Sequence, residues 1–396
     1  MGVSKHLVHS ALPFYWRLAA SDAESPVDIT NLPFCFDSQG PSWLVQQKIT
    51  PDLRSALDRV YLAEENIGYL QPGYEIAQGY LVDFMNLIVS ILSESAIKGP
   101  ILEVGCGGCE VLDRLKNLGH AVIGVDPSPV AKFWGQKKGI SVLAESFNPL
   151  RHQKQFQMAL CSDVLEHVEN PVHFIQGMKS VVVSGGFVVV AVPDCTLGIR
   201  LGDVSFAMHQ HLTYFSEHSL RVCLIAAGLT DVRVVSSGYG GSLYGIGQVS
   251  GQPSSQDLDT QLKGISDIVS LASSEVERYL AIFEEKLEIV REHLIASLSS
   301  GADCAFYVPL RALPYLSQKI IEDYYDRVRF IDDTAHWHGK CFDGLPIRIE
   351  NFSDLSRNIP THVYIMSLTF ERQISHRLAS LGGQSPRITK LSDLLL

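Results

Sequence analysis

Residues 100–126 read PILEVGCGGCEVLDRLKNLGHAVIGVD. An apolar run, ILEV, meets a glycine-rich turn, Gly105-Cys106-Gly107-Gly108-Cys109. An amphipathic stretch follows, then a second apolar run that ends on Asp126. This order predicts a strand, a tight turn, a helix and a parallel strand, the first unit of a sheet covered on both faces. Two chemistries suit the turn. A Cys-x-x-Cys pair after a strand and at a helix N-terminus is where a redox dithiol sits, because the helix dipole lowers the first thiol's pKa. Against that, Gly105 and Gly107 flank Cys106, so that backbone rather than side chain faces the opening. Glu103 and Asp126 end their strands beside the same crevice. An acid at the tip of the second strand accepts hydrogen bonds from ribose hydroxyls. A nucleoside pocket is therefore preferred to a dithiol and to an α/β turn without a ligand.

The charges select among nucleosides. A dinucleotide loop of the form GxGxxG leaves the helix N-terminus free for a pyrophosphate. Here the third glycine position is Glu110, and Glu103 adds a second carboxylate. Two acids beside a pyrophosphate would cost on the order of 1 kcal/mol each by like-charge repulsion. A ligand carrying a sulfonium and an ammonium group would be stabilised instead, which points to S-adenosylmethionine.

The same alternation runs to about residue 250. Apolar runs FQMALC (156–161), FVVVAVP (187–193), VRVVSS (232–237) and SLYGIGQVS (242–250) are separated by amphipathic stretches, except that the last two are joined by Gly238-Tyr239-Gly240-Gly241. These two are expected to form an antiparallel edge hairpin. Residues 251–260 have linker composition. A helical stripe follows over 261–297, through Ile265, Ile268, Leu271, Val276, Leu280, Phe283, Leu287, Val290 and Leu294. The last hundred residues return to α/β patterning, and the first seventy carry no clear period. The expected division is 1–70, 71–250, 251–298 and 299–396.

The chain has 396 residues and a net charge of -11, which works against a nucleic-acid partner because phosphate binding needs a basic surface. No uncharged apolar run approaches the ~20 residues of a membrane span. Arg17 and two histidines interrupt any apolar core of a leader. The eight cysteines show no disulfide framework. A reducing, cytoplasmic setting is the expectation. Oligomeric state is not legible.

With Glu103-x-Gly105-x-Gly107, Asp126 and the Asp163-Val-Leu-Glu-His167 segment in place, the chain resembles class I S-adenosylmethionine-dependent methyltransferases. Cys109 stands where that pattern has its third glycine. The resemblance implies a Rossmann-like core with Glu103, Gly105, Cys106 and Gly107 at the methionine end and Asp126 and Pro127 at the ribose. It further implies Ser146 and Phe147 near adenine, with Cys161 and Ser162 closing the pocket. The order of later segments, FIDDTAHWHGKCFDGLPIRI and THVYIMSLTFERQI, is similar to nucleotide-sugar C-methyltransferases. Those enzymes have a zinc-binding N-terminal domain, the core, and a C-terminal α/β domain. Cys35 alone cannot supply a zinc site, so none is expected here.

That narrower resemblance implies His211 as general base. The family motif Tyr-x-Glu-His reads Met208-His209-Gln210-His211 here, and Tyr239 stands where a histidine is usual. His167, after Glu166, is a second catalytic candidate. His209, Tyr214, Tyr239 and Ser242 are candidates for touching substrate. His209 and His211, two apart in an extended segment, would face one side. A metal would need further ligands, and none is evident nearby in sequence. The favoured function is methylation of a small biosynthetic metabolite, a sugar or nucleotide-linked sugar. The alternatives are O- or N-methylation of another natural-product or polysaccharide precursor, and a catalytically silent binding module.

Overall fold

The strands of the first sheet form because their residues are apolar on both faces. Phe156–Ser162 buries five of its seven residues, and Val182–Pro193 buries the continuous run 188–192, as central strands covered on both faces do. In the computed structural model, residues 7–13, 18–20, 31–37, 40–62, 75–95, 98–151, 155–250, 255–334, 337–342, 345–381 and 385–396 are described. The seven strands lie in the order Thr230–Ser236, Ser242–Gln248, Val182–Pro193, Phe156–Ser162, Ile101–Val104, Val122–Val125, Ser141–Leu143. Ser242–Gln248 runs antiparallel to both its neighbours. The Rossmann-like α/β class is thus as expected, and the hairpin forms, with its reversed strand one position in from the edge. The edge strand Ser141–Leu143 was not anticipated. It is three residues long and largely exposed, too short and polar to carry a period.

Side chains alternate between two cores. Leu102 and Val104 face one core with Ile175, Met178 and Leu224 from the helices Pro171–Val181 and Glu217–Ala226. Ile101 faces the other, against Phe84, Met85 and Ile88 of the helix Glu75–Glu94. The chain order reverses about the Ile101–Val104 strand, so a crevice opens at the carboxyl ends there.

A second seven-stranded sheet has the order Arg387–Lys390, His362–Ile365, Cys304–Tyr307, Val328–Ile331, Leu345–Glu350, Lys340–Phe342, Leu18–Ala20. Its first five strands are parallel, and the last two pair antiparallel. The closing edge strand therefore comes from the N-terminal segment. A further N-terminal strand, Val45–Gln46, pairs with Thr213–Tyr214 of the first half.

Between the sheets runs the helix Ser255–Ser299. Its buried line is Ala272, Val276, Tyr279, Phe283, Leu287, Val290, Leu294 and Leu298. The expected stripe is corrected at its start: Leu271 is 51% exposed, and Ala272 takes the inward place. Phe36 packs edge-on against Tyr279 and Phe283, each 5.2 Å between ring centroids, and against Tyr214 at 5.7 Å. Asp203 accepts hydrogen bonds from the Tyr315 hydroxyl at its carboxylate (2.7 Å) and from the Tyr279 hydroxyl at its carbonyl (3.0 Å). The long helix and both halves of the chain thus meet on one loop. Among the described residues, no helix is long and apolar enough to cross a membrane.

Candidate active site

The glycine turn is held by backbone geometry that side chains rarely adopt. Gly105 has φ 75°, and a Cβ there would lie 2.3 Å from Val164 Cγ2. Gly105 N–H donates to the Val125 carbonyl at 2.7 Å, which docks the turn on the second strand. Gly107 N–H donates to Asp126 Oδ2 at 2.9 Å, and Ser128 N–H to Oδ1 at 2.8 Å. One carboxylate therefore ties together the two turns that border the crevice. Burial raises the Asp126 pKa, and the two N–H bonds pull against that rise. Cys109, at the third glycine position, has φ 58° and lies in the left-handed region at the start of the helix Glu110–Asn117.

Glu103 is buried, and its Oε2 has no hydrogen-bond donor. Burial, then the neighbouring Cys109 and Asp126, push its pKa well up. Leaving a buried carboxyl oxygen unpaired costs roughly 1–3 kcal/mol. A ligand ammonium arriving in the crevice would remove that cost, so the residues present fit S-adenosylmethionine. Glu110 weighs less than expected against a pyrophosphate, because Lys138 Nζ pairs with its Oε1 at 2.5 Å. Of these two acids, Glu103 is then the one left with an orphaned oxygen.

The thiols lack the setting of a redox pair. Cys106 and Cys109 lie 3.9 Å apart, sulfur to sulfur, both buried with Leu112, Ala131 and Ile140. The hydrogen bond between them and then burial raise Cys106, while the same bond lowers Cys109. A redox pair needs the first thiol low and accessible, and here it is neither. The Cys106 side chain therefore lines the core, leaving only its backbone to the turn. Cys161 is likewise fully buried, its pKa pushed up by burial. Pro127 and Ser146 are exposed, and Phe147 is half-buried with its ring 6.0 Å from Phe174. Ser162 donates to Asp163 Oδ2 at 3.2 Å.

The histidines come next along the crevice. After the Phe156–Ser162 strand the chain turns through Asp163, φ 53°, into a single 3-10 turn, Leu165–His167. Val164, packed on Gly105, places this turn directly beside the glycine loop. Leu212 N–H donates to the Glu166 carbonyl at 2.7 Å, and His167 Nδ1 bonds the Gln210 carbonyl at 2.7 Å. These bonds bring His211 to His167, 5.0 Å between ring centroids. One ligand-capable atom from each of Glu166, His167 and His211 lies within 4.8 Å of the other two. Sequence separation had hidden this third member. Both Glu166 carboxyl oxygens are buried without a hydrogen-bond partner. Burial lowers His167 to about 4. Burial, then His167 and Arg311, lower His211 well below its usual value. Burial raises Asp163 to about 6, and burial and then Asp163 raise Glu166.

Two expected substrate residues lie elsewhere. Residues 208–211 form a turn, with His211 N–H donating to the Met208 carbonyl at 3.1 Å, so His209 and His211 diverge instead of sharing a side. His209 is fully buried, 3.1 Å from the Leu32 carbonyl through Nε2 and edge-on to Phe34. Tyr214 is buried with its hydroxyl on the Met208 carbonyl at 3.2 Å. Tyr239 remains at a surface, 37% exposed, 4.8 Å from the Tyr80 ring and 6.4 Å from the Phe370 ring, where the hairpin meets the second half. Ser242 is half-buried at the start of the reversed strand, opposite Pro193. From the sequence, Arg311 could bind a phosphate, with a surface role preferred; it is half-buried. It comes from the second half, donates to the Ser205 carbonyl at 3.4 Å, and bears on His211 electrostatically.

The Methyltransf_23 family, described as a methyltransferase domain, matches residues 78–234. A ubiquinone biosynthesis O-methyltransferase of Shewanella halifaxensis is 33% identical over 97 residues, 22% of this chain and 41% of that protein. The mitochondrial ubiquinone biosynthesis O-methyltransferase of Schizosaccharomyces pombe is 30% identical over 118 residues, 28% of this chain and 43% of that protein. The chain thus spans about two fifths of the length of these curated relatives. Among solved structures, a possible histamine N-methyltransferase of Thermotoga maritima aligns at 20% identity and TM-score 0.37, over 44% of this chain and 91% of that one. Magnesium protoporphyrin IX methyltransferase of Synechocystis with bound S-adenosylmethionine aligns at 14% identity and TM-score 0.37, over 51% and 99%.

Proposed function

We propose, on the premise that residues 78–234 form a class I S-adenosylmethionine-dependent methyltransferase domain, that the chain methylates a hydroxyl oxygen of a small biosynthetic metabolite. S-adenosylmethionine supplies a methyl group made electrophilic by its sulfonium. In this reading Glu103 takes the ammonium of the methionine end and Asp126 the ribose. The Gly105–Gly107 backbone lets the ligand approach closely. The histidine pair lies where the acceptor hydroxyl would meet the methyl group, and a hydroxyl that loses its proton as it attacks asks little of a base. The observation that carries the reading is the orphaned Glu103 oxygen beside Asp126, with His167 and His211 one packed residue, Val164, further along.

Oxygen is favoured over carbon by the histidines themselves. A base works best with a pKa near the working pH, and burial holds both imidazoles far below it. Forming an enolate demands more of a base than does a hydroxyl that is already attacking. The names of the similar O-methyltransferases point the same way. A second reading, carbon methylation of a nucleotide-linked keto-sugar, draws on Arg311 of the second half, a cation suited to an anionic group near His211.

Calorimetric titration with S-adenosylmethionine tests the core. Binding is expected, and Asp126→Ala should weaken it more than tenfold. No heat at millimolar ligand would reject both readings. Transfer of labelled methyl to hydroxylated acceptors, nucleotide-linked sugars first, then separates oxygen from carbon. Solvent deuterium entering a keto-sugar would favour carbon.

A further inference from the structure

We propose that Glu166, His167 and His211 bind one divalent transition-metal cation on the acceptor side of the crevice. The three donors come from two segments far apart in sequence, yet their ligand atoms lie within 4.8 Å of one another. A cation site with bonds of about 2.0–2.2 Å needs donors ~3.3 Å apart, a contraction within reach of side-chain rotation. Glu166 Oε1 already lies 3.8 Å from His167 Nε2.

Three features point to a cation rather than to chance proximity. Glu166 is 1% exposed, and neither of its carboxyl oxygens receives a hydrogen bond from another residue. A buried carboxylate is tolerated when it is paired or coordinates a metal. His167 Nδ1 lies 2.7 Å from the Gln210 carbonyl and can only donate to it, which fixes the tautomer and presents Nε2 toward Glu166. The remaining donors, two imidazoles and one carboxylate, match Zn2+, Co2+ or Mn2+ better than Mg2+ or Ca2+, which prefer all-oxygen shells. Three protein ligands leave positions open, as sites that act on a substrate do. Asp163, electrostatically linked to Glu166, adds negative charge next to the site.

The site is independent of the acceptor, while its purpose rests on the methyl-transfer reading. A cation held by the three side chains would take the acceptor hydroxyl oxygen in its open position and lower that hydroxyl's pKa. The hydroxyl proton then passes to solvent water. The oxygen lone pair forms the bond to the methyl carbon as the sulfur–carbon bond breaks, leaving a neutral thioether. The histidine pair would thus act through the cation that it helps to hold. Arg311, on the His211 side, is left to meet an anionic group of the acceptor.

The test uses chelator-stripped full-length protein titrated with Co2+, followed by visible absorption and elemental analysis. One Co2+ per chain is expected, displaced by Zn2+. Glu166→Gln and His211→Asn should each weaken binding at least tenfold, with melting curves showing that the variants fold. Glu166→Gln is nearly isosteric and keeps the buried shape, so it provides a folded protein for the test even if His211→Asn does not. His218→Asn, on a different helix and paired with Glu275, should bind as the parent does. Absence of saturable Co2+ binding, or parental affinity in Glu166→Gln, overturns the proposal. Calorimetry with S-adenosylmethionine on the same preparations keeps the two claims apart. Cofactor binding without cation binding rejects only the metal site. Cation binding without cofactor binding rejects only the methyl-transfer reading.

Discussion

At Gly105 the cost of one methyl group can be read directly. Its φ of 75° and the 2.3 Å approach of Val164 Cγ2 leave no room for a Cβ. Gly105→Ala should lose about 1–3 kcal/mol of stability and most S-adenosylmethionine affinity, read by melting and calorimetry. Val164→Ala in the same chain should recover part of the loss, since the overlap goes while the dihedral strain stays. His362 makes a pH prediction. It is 3% exposed, stacked on Tyr364 at 4.1 Å, with Nε2 2.8 Å from Thr389 Oγ1. Burial, then Arg387 and His293, lower it to about 4. The unfolded chain takes up the proton first, near pH 6.5, so stability present above that pH is lost as pH falls toward 4. His362→Phe keeps the stack and removes the proton. The stability difference between pH 7 and pH 4.5 should shrink by at most about 3 kcal/mol, and an unchanged difference would clear His362 of the effect. At this scale, the grouping of Glu103, Gly105, Gly107 and Asp126 at one crevice was legible, because they follow one another around a single strand–turn–helix–strand unit. The sequence did not reveal the Glu166–His167–His211 group. That group depends on a 3-10 turn and on backbone bonds between segments some forty residues apart, and no local spacing encodes those.

The long helix shows what periodicity gives and where it slips. Apolar residues at Leu271 and Ala272 compete for one inward position, and hydropathy alone favours the larger. The structure turns Ala272 inward, fully buried, and leaves Leu271 to solvent. The small side chain suits a close approach between elements. Two substitutions test the facing. Leu271→Ser should change stability by no more than about 0.5 kcal/mol. Ala272→Leu should cost about 1–3 kcal/mol by overpacking, measured by urea denaturation. The reverse ranking would mean that the helix is rotated. Strands buried on both faces were legible as apolar runs. The edge strand Ser141–Leu143 was not, because an edge needs few apolar residues, and the helix Glu75–Glu94 was left unassigned beside an N-terminal segment without period.

The arrangement of the two sheets is the part no pattern could supply. Leu18–Ala20 closes the second sheet beside Lys340–Phe342, while Val45–Gln46 pairs with Thr213–Tyr214 close to the histidine turn. The N-terminal segment is therefore a strap over both halves, set by pairings across hundreds of residues. Phe36 lies between those two strands in sequence and at the centre in space. Its ring meets Phe206 and Tyr214 of the first half and Tyr279 and Phe283 of the connecting helix. Residues of the second sheet, Cys304, Phe306 and Phe330, belong to the same continuous core. Removing the ring leaves a cavity whose walls come from the N-terminal segment, the first half and the connecting helix, so they cannot collapse by the movement of one element alone. Phe36→Ala should cost about 3–5 kcal/mol. Because the core is shared, the loss should lower a single cooperative transition instead of splitting it. Calorimetric and van't Hoff enthalpies should then remain equal in the variant. Two separated transitions, with one kept at the parental midpoint, would instead show that each half carries its own stability and that the strap joins them without coupling them.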